Sequence, residues 1–417
     1  MFKLFYNFFL YLYPRFIAIA AIRNVKAKQW IEGRKDVFDK LRNSFQHNTQ
    51  KVIWMHCASL GEFEQGRPVL EALRLKYLDY KFLLTFFSPS GYEIRKDYDG
   101  VDLVTYLPMD GKEHAREFFD IVNPSLVIFV KYEFWYYYLK EARNRNVNSL
   151  LISAIFLPQQ IFFKWYGSFH RKMLTYFTCI CVQNQDSLNE LNALKGLNEV
   201  IITGDTRFDR VLNISSNSLI INKIENFVKN KKVIVAGSTW GDDDKVIKEV
   251  ANNTEDYVFI IAPHDIGKNR LEECLRYYQH SKLYSEWVKQ SDSTTKVLII
   301  DNIGILSSLY KYATICIIGG GWVKEGIHNI LEAAVYYKPV IFGPAYHKYV
   351  EAKDILEEGG GYSVDNLFQL KELLHKLDVD ADFYKQVAEK AGKFVLNRAG
   401  ATHKIINKIE TLSYPHK

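Results

Sequence analysis

Cysteine is scarce, with 5 among 417 residues. The number is odd and the spacing makes no framework, which excludes a disulfide-stapled extracellular scaffold and argues for a reducing compartment. Cys179 and Cys181 stand two apart in an apolar run, so a strand puts both on one face. With no second cysteine pair and no histidine spaced for zinc, they read as core residues, and no metal is expected. An excess of one charge is also missing: 54 Lys+Arg against 48 Asp+Glu leave +6. That balance permits an anionic substrate or a membrane surface and does not demand nucleic acid. No internal repeats and no low-complexity tracts occur. No small-residue cleavage site closes the apolar N-terminus, so a removable signal peptide is not expected. The same segment lacks an uninterrupted run for a clean bilayer span, because Lys3, Asn7, Pro14 and Arg15 break it.

What is present is a globular composition, 48% hydrophobic and 24% charged, rich in Tyr (27) and Phe (27). A chain of this length predicts two domains of roughly 200 residues each. Residues 1–35 are dense in Phe, Leu, Ile and Tyr and then basic at Arg23, Lys26, Lys28, Arg34 and Lys35. They read as a membrane-surface or shallow anchor with its basic residues on the cytoplasmic side. The alternative is a helix packed on the protein's own first domain.

From Lys51, short β-rich runs alternate with helical patterns: VIWMH, FLLTFFS, VTYLP, LVIFV, SLLISAIF, CICVQ and VIITGD. This predicts parallel strands with crossover helices over residues 36–212. A polar, Asn- and Lys-rich stretch, 213–232, reads as a linker. Over 233–417 the rhythm resumes with VIVAGS, VFIIAPH, VLIID, ICIIGGG and PVIFGP, and the tail reads as closing helices. The fold class is therefore α/β, with two doubly wound, Rossmann-like domains facing a cleft.

Two stretches carry candidate chemistry. In Ile317–Ala334, IIGGGWVKEGIHNILEAA, an apolar strand, a triple glycine and an amphipathic helix predict a turn whose N–H groups favour an anion such as a nucleotide phosphate. Asn329 and Glu332 share a helix face there, suited to ribose hydroxyls. A plain Gly-rich turn is the alternative. In Trp54–Glu62, WMHCASLGE, Glu62 falls near a helix start, where partial burial would raise its pKa toward a general base's range; a glutamate that simply complements the helix dipole is the alternative. The aspartate clusters Asp97/Asp99 and Asp242–Asp244 read as solvated or capping residues rather than metal motifs.

WMHCASLGE, SPSGYE (Ser88–Glu93), KYEFW (Lys131–Trp135), GDTRFD (Gly204–Asp209), AGSTW (Ala236–Trp240) and GIHNILEAA (Gly326–Ala334) occur in the order and spacing of the Kdo transferases. Any one is a weak signal; six in order across both halves are specific. The sequence thus resembles a family of GT-B-type inverting glycosyltransferases that move 3-deoxy-D-manno-octulosonic acid (Kdo) from CMP-Kdo to the lipid A precursor, an acylated disaccharide bisphosphate. The resemblance implies Glu62 as catalytic base, with Glu133 and Arg207 supporting the transition state, since the leaving phosphate and the Kdo carboxylate are both anionic. It implies donor contacts at Ser238, Pro263, His264, Ile303, Gly304, Ile305, Gly320, Gly321, Asn329, Ile330, Leu331 and Glu332, no cofactor, and a place on the cytoplasmic face of the cell inner membrane. Departures from the family pattern are Arg207 for a common lysine, His264 for an arginine, Ile305 for an acidic residue, Gly321 for a serine, Tyr136 for a proline and Ile155 for an arginine. Another GT-B enzyme, such as a different glycosyltransferase or a UDP-sugar epimerase, is the competing expectation; a non-catalytic scaffold would have no reason to keep Glu62 and Arg207.

Overall fold

The computed structural model describes residues 2–221 and 223–413. Residue 222, inside the expected linker, and residues 414–417, at the end of the expected second domain, lie outside the described residues. The chain divides into two compact units, Met1–Arg210 with Gly400–Lys417, and Val211–Ala399.

The first unit holds β1 (Val52–Cys57), β2 (Lys81–Phe86), β3 (Leu103–Tyr106), β4 (Pro124–Val130), β5 (Asn148–Ala154), β6 (Cys179–Val182) and β7 (Glu199–Ile202). Their order is β3-β2-β1-β4-β5-β6-β7, and every pairing is parallel. Helices cover both faces, which is why the strands read as unbroken apolar runs. Trp54, Phe118, Phe129 and Tyr138 fill one face, and Met55, Phe63 and Phe86 the other. The chain enters at β1, works outward to β3, then crosses to β4. The carboxyl ends of β1 and β4 therefore flank the switch point where such sheets gather ligand contacts.

The second unit repeats this plan with β8 (Lys232–Thr239), β9 (Tyr257–Pro263), β10 (Ser281–Leu283), β11 (Val297–Ile299), β12 (Ile315–Ile318), β13 (Val340–Phe342) and β14 (Gly361–Ser363). The order β10-β11-β9-β8-β12-β13-β14 puts the switch between β8 and β12. The edge strands β10 and β14 are absent from the sequence-based list. Each has three residues and is incompletely buried, so neither carries an apolar run.

Three boundaries differ from expectation. The linker 213–232 contains the end of the helix Thr206–Ser216 and a helix Ile224–Val228. Ile224 and Phe227 of that helix are buried, Phe227 against Trp287, so this stretch is part of the second unit's body. Residues 400–413 belong to the first unit, because the helix Ala401–Ser413 buries Ile405, Ile406 and Ile409 in its core. Asp209 fastens the entry to that helix by accepting from the backbone N–H of Gly400 and Thr402.

The third difference concerns the expected segment 1–35, of which residue 1 lies outside the described residues and the rest forms α1 (Phe2–Ala20), α2 (Val25–Glu32) and the approach to α3 (Val37–Phe45). α2 buries Ala27 and Trp30. The Arg34 guanidinium, expected among the membrane-facing cations, donates instead to the carbonyls of Trp30, Phe87 and Leu107, and burial pushes its pKa down to about 9. α1 has no fully buried residue. It is moored by Tyr6, whose hydroxyl donates to Asp110, and by Asn7, which accepts from the Tyr137 hydroxyl at 2.7 Å. Leu4, Phe5, Phe8, Phe9, Phe16 and Ile19 are exposed. Among the described residues, no helix is long and apolar enough to cross a membrane.

Candidate functional site

In the first unit the site grows from the ends of β1 and β4. After Ser59, α4 (Leu60–Lys76) begins, with Glu62 in its first turn. The Glu62 carboxylate turns back to accept the N–H of Ala58, the residue before the cap position Ser59. Burial first, and the nearby Glu133 charge second, push Glu62 up to about 8; Lys131 and the N–H groups of Ala58 and Ser59 oppose them. Removal from water disfavours the charged form and a like charge adds to it.

Glu133 follows Lys131, whose φ of 66° is a left-handed conformation that a side chain adopts at a cost. The turn sends Glu133 inward, where it is 7% exposed. One carboxylate oxygen accepts from Trp135 Nε1 at 2.6 Å and lies 2.9 Å from His56 Nε2. His56 is wholly buried in β1. Its Nδ1 is 2.8 Å from Thr85 Oγ1, which itself accepts from Trp54 Nε1 at 2.8 Å. Thr85 Oγ1 also lies 3.5 Å from the Met55 carbonyl and Trp135 Nε1 3.2 Å from His56 Nε2, so both ring nitrogens are held in one buried polar network with Glu133. Sequence reasoning gave His56 no role. The available signal was a histidine inside an otherwise apolar strand, two positions from Trp54.

Arg207 opens the helix Thr206–Ser216. Its Nε and a terminal nitrogen bind one Asp205 oxygen at 2.8 and 2.7 Å, and its N–H binds the other at 2.9 Å. Thr206 Oγ1 donates to the Gln65 carbonyl of α4 and lies 2.9 Å from Ser153 Oγ. The GDTRFD turn is therefore docked on the helix that carries Glu62.

In the second unit the expected donor residues cluster at strand ends. Ser238, at φ 57°, is the penultimate residue of β8. Pro263 ends β9, and the ring of the next residue, His264, stacks 4.6 Å from Trp240 and 4.5 Å from His328. Trp240 Nε1 donates to His328 Nε2 at 3.1 Å. Burial, then His264, push His328 down to about 4. Ile303, Gly304 (φ 96°) and Ile305 form the loop after β11, with Ile303 exposed.

The glycine turn departs from expectation. Its N–H groups were expected to bind a ligand anion, yet Gly320 and Trp322 donate to Asp243 at 2.7 and 3.1 Å, and Trp240 donates to it at 2.8 Å. Asp243 and Asp244 are buried rather than solvated. Asp243 caps the helix Gly241–Ala251, and Asp244 pairs with Arg270 and accepts from Tyr278. A Cβ on Gly320 would meet the Gly326 carbonyl at 2.2 Å, and one on Gly321 the Gly343 nitrogen at 2.2 Å, so close backbone approach explains both glycines.

The expected amphipathic helix is a single turn, Leu331–Ala334, with Asn329 ahead of it. Tyr337 at φ 57° and Pro339 stop it early. Asn329 and Glu332 do not share its face; they meet because Asn329 Nδ2 donates to Glu332 at 3.0 Å, while Asn329 Oδ1 accepts from Leu331 N–H. Ile330 and Leu331 are buried in the core. Among the described residues, no group of three or more His, Cys, Asp or Glu lies together as a metal set.

Residues 34–210 match the family model described as 3-deoxy-D-manno-octulosonic-acid transferase (kdotransferase). The chain is 28% identical over 329 residues to the 3-deoxy-D-manno-octulosonic acid transferase of Rickettsia felis, covering 76% of this chain and 69% of that one. It is 28% identical over 338 residues to the enzyme of that name from Aquifex aeolicus, covering 79% and 87%. In fold it is similar to UDP-GlcNAc 2-epimerase from Neisseria meningitidis, with a TM-score of 0.61 at 17% identity over 87% of this chain and all of that one. At that identity the likeness shows the two Rossmann-like domains and nothing of the chemistry. The stretch that carries Glu62, Glu133 and Arg207 thus lies inside the part of the chain that is similar to the Kdo transferases.

Proposed function

We propose that the protein transfers Kdo from CMP-Kdo to the lipid A precursor by single inverting displacement, with Glu62 as general base. The observation that carries this reading is the Glu62 carboxyl, pushed up to about 8 by burial and by Glu133 at the β1/β4 switch point. A carboxylate so raised accepts a proton from a sugar hydroxyl far better than an ordinary one. The acceptor oxygen bonds to the anomeric carbon as its proton passes to Glu62, and the bond from that carbon to the CMP phosphate oxygen breaks. CMP leaves as an anion, with Arg207 and Lys131 as nearby cations to offset the charge. In the second unit, His264 and the Asn329–Glu332 pair would hold the nucleotide, and Ser238 would donate to its phosphate. The exposed apolar face of α1 would lie on the cytoplasmic face of the inner membrane.

The test is transfer of labelled Kdo, supplied as CMP-Kdo made in situ, to a tetraacyl disaccharide bisphosphate. The wild type forms product, and Glu62→Ala loses roughly a hundredfold or more. A fully active Glu62→Ala would remove the mechanism; a wild type that binds CMP and makes no product would remove the substrate. The competing reading, another GT-B enzyme such as a UDP-sugar epimerase, predicts preference for UDP over CMP in a direct binding titration.

A further inference from the structure

A cavity of about 430 Å³ opens in the first unit, bounded by α1, α2, α3 and the stretch after β3. Ala18, Trp30, Ile31 and Phe38 give it an apolar lining, with Lys35 among the few polar side chains. The volume is roughly fourteen times the ~30 Å³ a water molecule occupies in the liquid, and a methylene group is of similar size. Arg34 also lines it, but its N–H groups are committed to backbone carbonyls and its flat face lies 3.9 Å over the Trp30 ring. A wall so largely apolar suits an alkyl chain.

Three further observations say whose chain it is. Rings connect the cavity to the carboxylates: Trp30 to Phe87 at 5.8 Å, Phe87 to Trp135 at 4.8 Å, and Trp135 Nε1 to Glu133 at 2.6 Å. The wall formed by α1 continues into its exposed apolar face at Phe16 and Ile19. Lys35 is exposed and supplies a cation for a phosphate outside. We propose that this cavity is an acyl-chain site, which takes one fatty chain of the glycolipid acceptor while the sugar lies toward Glu62 and Glu133. The inference rests on the transferase reading above.

Filling the cavity tests it. Ala18 is exposed on α1 and tolerates enlargement, so Ala18→Trp is the first variant and Ile31→Trp the second, with Leu75→Trp as a surface control. The full-length protein in mixed micelles is assayed for Kd and KM toward a tetraacyl disaccharide bisphosphate and toward the same compound fully deacylated. Both cavity variants should raise Kd and KM for the acylated acceptor at least tenfold, leave kcat/KM for the deacylated one within twofold, and differ in this from the control. Equal shifts for the two acceptors, or none, would overturn the site. So would a parallel loss of binding to acceptor-free phospholipid vesicles, which would make a bilayer lipid the occupant. If the wild type binds the acylated acceptor and transfers nothing, the transferase reading fails alone, and the Kd values still judge the cavity by the same criteria.

Discussion

His56 Nε2 stands 2.9 Å from the Glu133 carboxylate, and both side chains are shut away from solvent beneath Trp135. The pair fixes where the negative charge of Glu133 sits, and that charge helps to lift Glu62. Replacing Glu133 with glutamine removes a like charge, which lowers the Glu62 pKa toward ordinary carboxylates. The rise of kcat/KM with pH, set by ionisation of the base near 8, should then move toward acid. A pH–rate profile of Glu133→Gln that keeps its midpoint would show that burial alone raises Glu62.

Glu62 also bears on stability. Its folded pKa of about 8 exceeds the usual 4.5, so the stability it contributes is complete below 4.5 and lost as pH rises through 8. Glu62→Gln is never charged and should be more stable than the wild type by on the order of 1–3 kcal/mol at pH 8, while failing as a catalyst. Melting curves at pH 8 and pH 4.5 check this, the gain shrinking at the lower pH.

His328 runs in the opposite sense. Its pKa is depressed from 6.5 to about 4, so its contribution is present above 6.5 and disappears as pH falls through 4. His264 and Trp240 are the rings that face it. Denaturant titrations should find the wild type losing on the order of 1–3 kcal/mol from this group between pH 7 and pH 4, and His328→Gln losing correspondingly less.

Gly321 stands where the family commonly has serine, and here a Cβ would come within 2.7 Å of both the nitrogen and Cα of Gly343. Gly321→Ser should therefore destabilise the second unit by about 1–3 kcal/mol or more, read as a lower melting temperature. An unchanged melting temperature would mean that the β12 and β13 loops separate easily.

Much of this was legible in the sequence. Strands buried on both faces announce themselves as apolar runs, and the motif loops at their ends locate Glu62 and Glu133. The rest depends on partners far along the chain. Asp243 reads as a solvated or capping aspartate, and it does cap its helix, but its burial shows only when Gly320 and Trp322 are brought to it across 77 and 79 residues. His56 gains meaning only when β2 and the turn after β4 supply Thr85 and Glu133. Tyr136 reads as a plain departure from a proline, yet its backbone N–H donates to the Tyr6 hydroxyl of α1, a contact proline could not make. The single turn Leu331–Ala334 was overextended because its apolar spacing continues beyond the point where Tyr337 and Pro339 end it.

The helix Ala401–Ser413 lays Ile405, Ile406 and Ile409 into a core that also holds residues of β1, β2 and β4. During synthesis, therefore, all fourteen strands of the described residues emerge before the helix that seals the earliest ones. Until that helix is made, the apolar side chains it covers beside α4 stay open, and chaperones or misfolding compete with it there.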